Sequence, residues 1–244
     1  MASVLAVGYS LTTYLLFAVV FLYAIGFAGD IVVPKSIDSG TAGPLLQSVV
    51  VDLVLLGVFA IQHTVMARRG FKRWWTRIVP AAVERSTYVL AATLALALVL
   101  WQWQPIPEPV LWSVQSAGGR AMIAVVFWLG WGLLLASSFL INHFELFGLS
   151  QPLARASGRP IPEPVFRTPL FYRYVRHPLY LGFLLGFWAT PVMTAGHLLF
   201  ALGTTGYILV GIWFEERDLV HHFGAQYRVY RARVGMLVPW RRAP

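Results

Sequence analysis

Asp52, Gln62 and His63 lie inside an apolar run that ends only at Arg68 and Arg69. Ionisable side chains buried in such a run are costly and are functional candidates by default. Asp52 and His63 are 11 positions apart, about three helical turns, so they share a helix face some ~16 Å apart along the axis. A second apolar run opens with Glu84-Arg85-Ser86-Thr87-Tyr88, and a third closes with Asn142-His143-Phe144-Glu145. His63, Arg85, Tyr88, Asn142, His143 and Glu145 therefore meet one boundary of the apolar layer. Imidazole can exchange protons near neutral pH and guanidinium can stabilise an anion. His63, Arg85, His143 and Asp52 are the candidate catalytic groups, with Gln62, Tyr88, Asn142 and Glu145 as polar neighbours for a substrate. Bland readings stand beside these: Glu84 and Arg85 as an anchoring pair at the interface, His143 as an interfacial histidine, Asp52 as a helix-to-helix hydrogen bond.

A second set lies near the C-terminus: Tyr174-Val175-Arg176-His177-Pro178-Leu179-Tyr180-Leu181-Gly182, then Glu215-Glu216-Arg217, then Phe223-Gly224-Ala225-Gln226-Tyr227-Arg228-Val229-Tyr230. Pro178 suits the first position of a helix. Arg176 and His177 would then sit just outside its N-terminus, where an anion is welcome. Glu215 and Glu216 are expected at a helix C-terminus, where the dipole disfavours negative charge and calls for a cation or for ligand donors.

The elements that position these residues follow from composition. The chain has 244 residues, 58% apolar and only 12% charged, with mean hydropathy +0.67. A soluble domain carries about twice that share of charge, and a disordered chain is not this apolar. The apolar residues come in blocks of about 20, enough for a helix to cross a bilayer. Blocks are expected over about 9–33, 45–67, 86–103 and 121–141, followed by two pieces at about 178–190 and 197–214. The first of these pieces is short for a crossing and fits one arm of a hairpin turning at 191–196. The fold expected is an all-α polytopic transmembrane helical bundle of five to six spans, with a C-terminal helical hairpin and a cytoplasmic amphipathic tail from Leu219. The N-terminal run lacks a charged leader and a cleavage site and reads as a retained span.

Net charge +9 could signal a nucleic-acid binder, but its distribution excludes that reading. Of 19 Lys and Arg, six lie in 68–85, five in 142–177 and six from 215 onward, leaving Lys35 and Arg120. This asymmetry puts those three segments and both termini in the cytoplasm. With no cysteine, disulfides, iron–sulfur clusters and thiolate metal sites are excluded. No metal site is expected, and no serine-hydrolase or zinc-protease motif occurs. Two intramembrane histidines leave haem ligation open as a rival. No internal repeat is visible, so residues 1–244 are expected to form one domain.

The segment from about Tyr172 to Pro239 resembles the integral-membrane superfamily of isoprenylcysteine carboxyl methyltransferases and phospholipid methyltransferases. It carries Arg-His-Pro-x-Tyr-x-Gly, a hairpin, Glu-Glu-Arg and Phe-Gly-x-x-Tyr-x-x-Tyr. The resemblance implies S-adenosylmethionine (SAM) as methyl donor, yielding S-adenosylhomocysteine. Arg176, His177, Pro178, Tyr180 and Gly182 would form one wall of its site, Glu215, Glu216 and Arg217 another, with Tyr227 closing it. Segments 21–27, 33–40, 61–68, 71–75 and 142–149 are similar to bacterial methanethiol S-methyltransferases, and the region around Gln62-His63 and Glu84-Arg85 also resembles NnrU-like membrane proteins. Residues 1–150 would then supply the acceptor side and 151–244 the SAM side. The resemblance implies methylation of methanethiol to dimethyl sulfide at the cytoplasmic edge of a bacterial inner membrane, with His63 as base, His143 second and Arg85 stabilising the thiolate. The partners implied are a small volatile thiol and the lipid bilayer. A larger lipid-borne acceptor and a haem-binding NnrU-like protein remain the alternatives.

Overall fold

The computed structural model describes residues 2–160 and 165–239. Pro162 and Pro164 of the proline-rich loop, and Arg241 and Arg242 of the cationic tail, lie outside the described residues. Among the described residues five helices are long and apolar enough to cross a membrane, within the expected five to six. They are α1 (Ala2–Gly29), α2 (Leu45–Ala67), α4 (Glu84–Gln102), α5 (Ala117–Ile141) and α9 (Ala195–Phe223). The described residues also form short helices α3 (Arg69–Trp75), α6 (His143–Leu146), α7 (Ser150–Ala156), α8 (Pro178–Trp188) and α10 (Ala225–Arg233), a 3-10 turn at Leu170–Arg173, and strands β1 (Val110–Ser113) and β2 (Val192–Thr194). The expected all-α bundle is what the chain forms.

The residues cluster into two compact units interleaved along the chain: 1–110, 142–162 and 194–199 in the first, 111–141, 163–193 and 200–244 in the second. In the first unit α4 packs against both α1 and α2. Tyr9 meets Thr87 and Phe27 meets Trp103, so α1 and α4 run the same way. His63 meets Tyr88 while Asp52 meets Gln104, so α2 runs opposite to α4. Two hydroxyls buried among these helices, Ser10 and Ser86, pair with each other. Ser86 Oγ donates to the Gly148 carbonyl at 2.8 Å, which leaves Ser10 to donate to Ser86 at 2.6 Å. Gly148 has φ +82°, and a Cβ there would lie 2.7 Å from the Ser86 nitrogen. Only glycine fits this contact, which fastens the 142–149 segment to α1 and α4.

In the second unit α5 and α8 pack against each other at close range. A Cβ on Gly182 would come within 2.6 Å of the Gly130 carbonyl oxygen, and one on Gly186 within 2.8 Å of the Trp131 ring. Gly182 and Gly186 are four residues apart, the small-residue spacing that lets membrane helices approach backbone to backbone. α8 has 11 residues, ~16 Å of helix, too short to cross. Its side chains meet α9 in antiparallel register, with Trp188 Nε1 donating to Thr205 Oγ1 at 3.0 Å and His177 reaching Glu216 at 3.2 Å. The expected hairpin is present. Its turn includes a short β1–β2 pairing that hydropathy gave no sign of, extended by Val114 N–H to the Pro191 carbonyl at 2.8 Å.

Two expectations need correction. α9 does not stop at Phe214 but continues unbroken to Phe223, so Glu215 and Glu216 lie about two turns before the helix end. The dipole argument for their compensation therefore fails, because that effect fades beyond the last turn. The amphipathic tail likewise does not begin at Leu219. Residues 219–223 belong to α9, Gly224 turns the chain with φ +57°, and α10 follows.

Candidate functional site

The first cluster is built in the first unit from α2, α4 and the 142–147 segment. The His63 ring stacks on Phe59 at 5.3 Å and lies 5.1 Å from the Tyr88 ring, which is itself buried. Arg85 holds its guanidinium 4.8 Å over the opposite partner of that contact, the Tyr88 ring, and donates from Nε to the Leu146 carbonyl at 2.8 Å. Gln62 donates to Met66 Sδ at 3.1 Å, and its buried Oε1 accepts no hydrogen bond among the described residues. His63, Gln62, Tyr88 and Arg85 are thus brought together as expected.

His143 is buried, and its Nε2 shares a 2.9 Å hydrogen bond with the Tyr14 hydroxyl. Phe147 lies 4.8 Å and Phe144 5.5 Å from the imidazole. Burial lowers the His143 pKa from its ordinary value, because the apolar surroundings disfavour the imidazolium. Asn142 and Glu145 engage each other. Asn142 Nδ2 donates to Glu145 Oε2 at 2.5 Å, and its Oδ1 accepts the Glu145 N–H at 3.4 Å, capping α6. Asp52 stands apart at the other end of α2. It is fully buried, accepting the Gln104 N–H at 2.8 Å. Burial lowers the pKa of nearby Lys35, opposed by the Asp52 charge.

The second cluster is built in the second unit where α8 begins, with α9 and α10. His177 caps α8 and Pro178 is its first residue, as the sequence predicts. Glu216 Oε1 accepts Arg176 Nε at 2.7 Å and lies 3.2 Å from His177 Nε2. Glu215 lies 3.8 Å from His177 Nδ1, with its side chain 42% exposed. The segment after α10 closes beside them: Arg176 N–H donates to the Gly235 carbonyl at 2.8 Å and His177 N–H to the Met236 carbonyl at 3.1 Å. Tyr227 is 2% exposed, and its hydroxyl has no hydrogen-bond partner among the described residues. Burial and the charge of Glu216 push its pKa up, partly offset by Arg176. Tyr230 donates to the Tyr172 carbonyl at 2.6 Å and is pushed up to about 12, chiefly by burial.

Three members of this set sit differently from the others. Tyr180 keeps its ring 5.7 Å from His177 while its hydroxyl reaches toward Gly211 on α9. Arg217 turns to the exposed Trp213 ring at 4.7 Å. Gly182 contacts Gly130, so its lack of a side chain serves helix packing. Sequence reasoning missed Tyr14, Ser10, Arg231 and the 234–236 segment. A hydroxyl-bearing face at Tyr9, Ser10, Thr13 and Tyr14 was the available signal.

The arrangement suits a ligand with both charge signs and hydroxyl or amine donors. Glu215 is half open, and among the described residues the Tyr227 hydroxyl is an orphaned buried atom. A buried hydroxyl is rarely left unpaired. The donor set fits SAM, which offers an ammonium, a carboxylate and ribose hydroxyls. Among the described residues no group of three or more metal-ligating side chains is present.

The profile of the family described as NnrU protein matches residues 53–237. The methanethiol S-methyltransferase of Mycobacterium tuberculosis is 58% identical over 97% of this chain and 96% of its own length. Methanethiol S-methyltransferase 1 of Bradyrhizobium diazoefficiens is 53% identical over 96% of this chain and 82% of its own length. Nurim of Xenopus laevis is 30% identical over 74% of this chain and 62% of its own length. No solved structure matches. On that profile match and those relatives, the chain belongs to the NnrU protein family.

Proposed function

We propose that this membrane protein transfers a methyl group from SAM to methanethiol, giving dimethyl sulfide and S-adenosylhomocysteine. The observation that carries the reading is near-full-length identity of 58% to a protein named methanethiol S-methyltransferase. The second cluster supports it with paired cations and carboxylates and the orphaned Tyr227 hydroxyl. His177, Glu215, Glu216 and Tyr227 would hold SAM, whose sulfonium supplies an electrophilic methyl group, and Arg176 would frame the site through its bonds to Glu216 and the segment after α10. Gly182, Pro178, Tyr180 and Arg217 would shape that site from the helices.

On the acceptor side, thiolate and not thiol is the nucleophile. His63 takes the thiol proton, and Gln62 Oε1 offers an acceptor toward the incoming S–H. Tyr88 packs beside the imidazole, Arg85 would stabilise the thiolate, and Asn142 and Glu145 cap the segment that carries His143. The thiolate sulfur forms a bond to the methyl carbon as the sulfonium carbon–sulfur bond breaks, and the proton stays on His63 until it is released to water. A small apolar thiol partitions into lipid while SAM stays in water, so a membrane-edge enzyme on the cytoplasmic side serves both. The haem alternative gains no support: Nε2 of His143, its usual ligating atom, is engaged by Tyr14.

Headspace analysis of purified protein in detergent, given SAM and methanethiol, tests the reading. Dimethyl sulfide and S-adenosylhomocysteine are expected in equal amounts. SAM turnover only with long-chain or lipid-borne acceptors would overturn methanethiol as substrate, and folded protein that turns over neither would overturn the methyltransferase reading.

A further inference from the structure

Arg176 is the obvious partner for the carboxylate of a bound amino-acid moiety, yet its donors are largely spent. Nε is given to Glu216 Oε1 at 2.7 Å, and Nη1 to the carbonyls of Arg231, at 3.1 Å, and Val234. Its side chain is 11% exposed. A guanidinium fixed by a carboxylate and two carbonyls ties α9 to the end of α10; it is a positioning group. Arg231 differs. It lies on α10 at the same cluster, is 49% exposed, and has one charged neighbour, Glu216 Oε2, at 3.6 Å from Nη1. That separation is an ion pair and not a close hydrogen bond, so the planar fork is open to a carboxylate in bidentate geometry.

We infer that Arg231 is the cation that recognises the carboxylate of the methyl donor, while Arg176 positions His177 and the 234–236 segment. The inference rests on the reading of this cluster as the SAM site. Glu215, half exposed beside His177, then faces the donor's ammonium, and Arg231 and Glu215 together read the zwitterion.

The test is equilibrium binding to the full-length protein in detergent, with SAM and with decarboxylated SAM as probes. For Arg231→Gln, SAM binding is expected to weaken about 10- to 100-fold, the usual range for one charge-assisted hydrogen-bonded contact. Decarboxylated SAM should bind the variant and the parent alike, and thermal unfolding should be unchanged at this half-exposed position. Equal SAM affinity in parent and variant would overturn the role of Arg231. Equal losses for both probes would assign it a structural part instead. A parent protein that binds neither probe would overturn the SAM reading of the cluster itself.

Discussion

His63 and His143 are held in different ways, and the difference separates their proposed roles. His63 stacks on Phe59 beside Tyr88, and Arg85 fixes that tyrosine from above. If it takes the thiol proton, His63→Gln should lower turnover by about 100-fold or more, the usual contribution of a general base. SAM affinity should stay near the parent value, and unchanged turnover would remove the assignment. His143 is tied to Tyr14 and burial lowers its pKa. A group lowered in the folded state binds fewer protons there than when unfolded, so it stabilises the fold above its unfolded pKa of about 6.5. That contribution is lost as pH falls below 6.5. Thermal unfolding in detergent should therefore drop between pH 7 and pH 5, and His143→Gln should flatten the dependence. An equal slope in the variant would place the acid sensitivity elsewhere. The ionisable residues were legible because charge stands out against an apolar run. Tyr14 and Ser10 were not, since hydroxyls are tolerated in spans and their partners, His143 and Ser86, lie 129 and 76 residues away.

At the scale of elements, hydropathy located the crossing helices well. α2 runs from Leu45 to Ala67 as expected, and α5 begins only slightly before Ala121. It failed where the rule changes from lipid burial to pairing. Glu215, Glu216, Arg217 and Asp218 end the apolar run without ending the helix, because Arg176 and His177 meet Glu216 from outside α9. A charge-satisfied helix continues. The α5–α8 contact was hidden for another reason: glycines at 130, 182 and 186 read as weak helix formers, whereas the structure uses their missing side chains. A Cβ at Gly182 needs the two backbones to separate, since it would lie 2.6 Å from a carbonyl oxygen. Overpacking of this kind costs about 1–3 kcal/mol. Gly182→Ala should lower the unfolding temperature and Gly182→Leu should lower it further or prevent folding. Gly206, which has open space around its Cβ, serves as the control, and equal loss at both positions would contradict the seam.

For the whole molecule, we propose that the arginine distribution sets which side of the membrane the cation-rich segments face. Of 19 basic residues, 17 fall in the segments 68–85, 142–177 and 215–244, while Lys35 and Arg120 border the other ends of the spans. Holding so many cations on one side is what the insertion machinery reads, and five crossings put the N-terminus and the C-terminal segment on opposite sides unless another element returns the chain. On that proposal α8 would be that element: it starts at Pro178, the chain turns at β2, and α9 runs back antiparallel to α8. A half-length arm followed by a full-length helix lets the Arg176–His177 pair and the Glu215–Glu216 pair share one end of the hairpin, which the 3.2 Å contact between His177 and Glu216 requires. The chain has no cysteine, so single introduced thiols report topology without background. Arg73→Cys and Arg228→Cys should resist a membrane-impermeant maleimide in intact cells and react after permeabilisation. Gln115→Cys, exposed after β1, should react in intact cells. Labelling of Arg73→Cys from outside would invert the proposed orientation and put the proposed SAM cluster where a cytoplasmic methyl donor does not reach it.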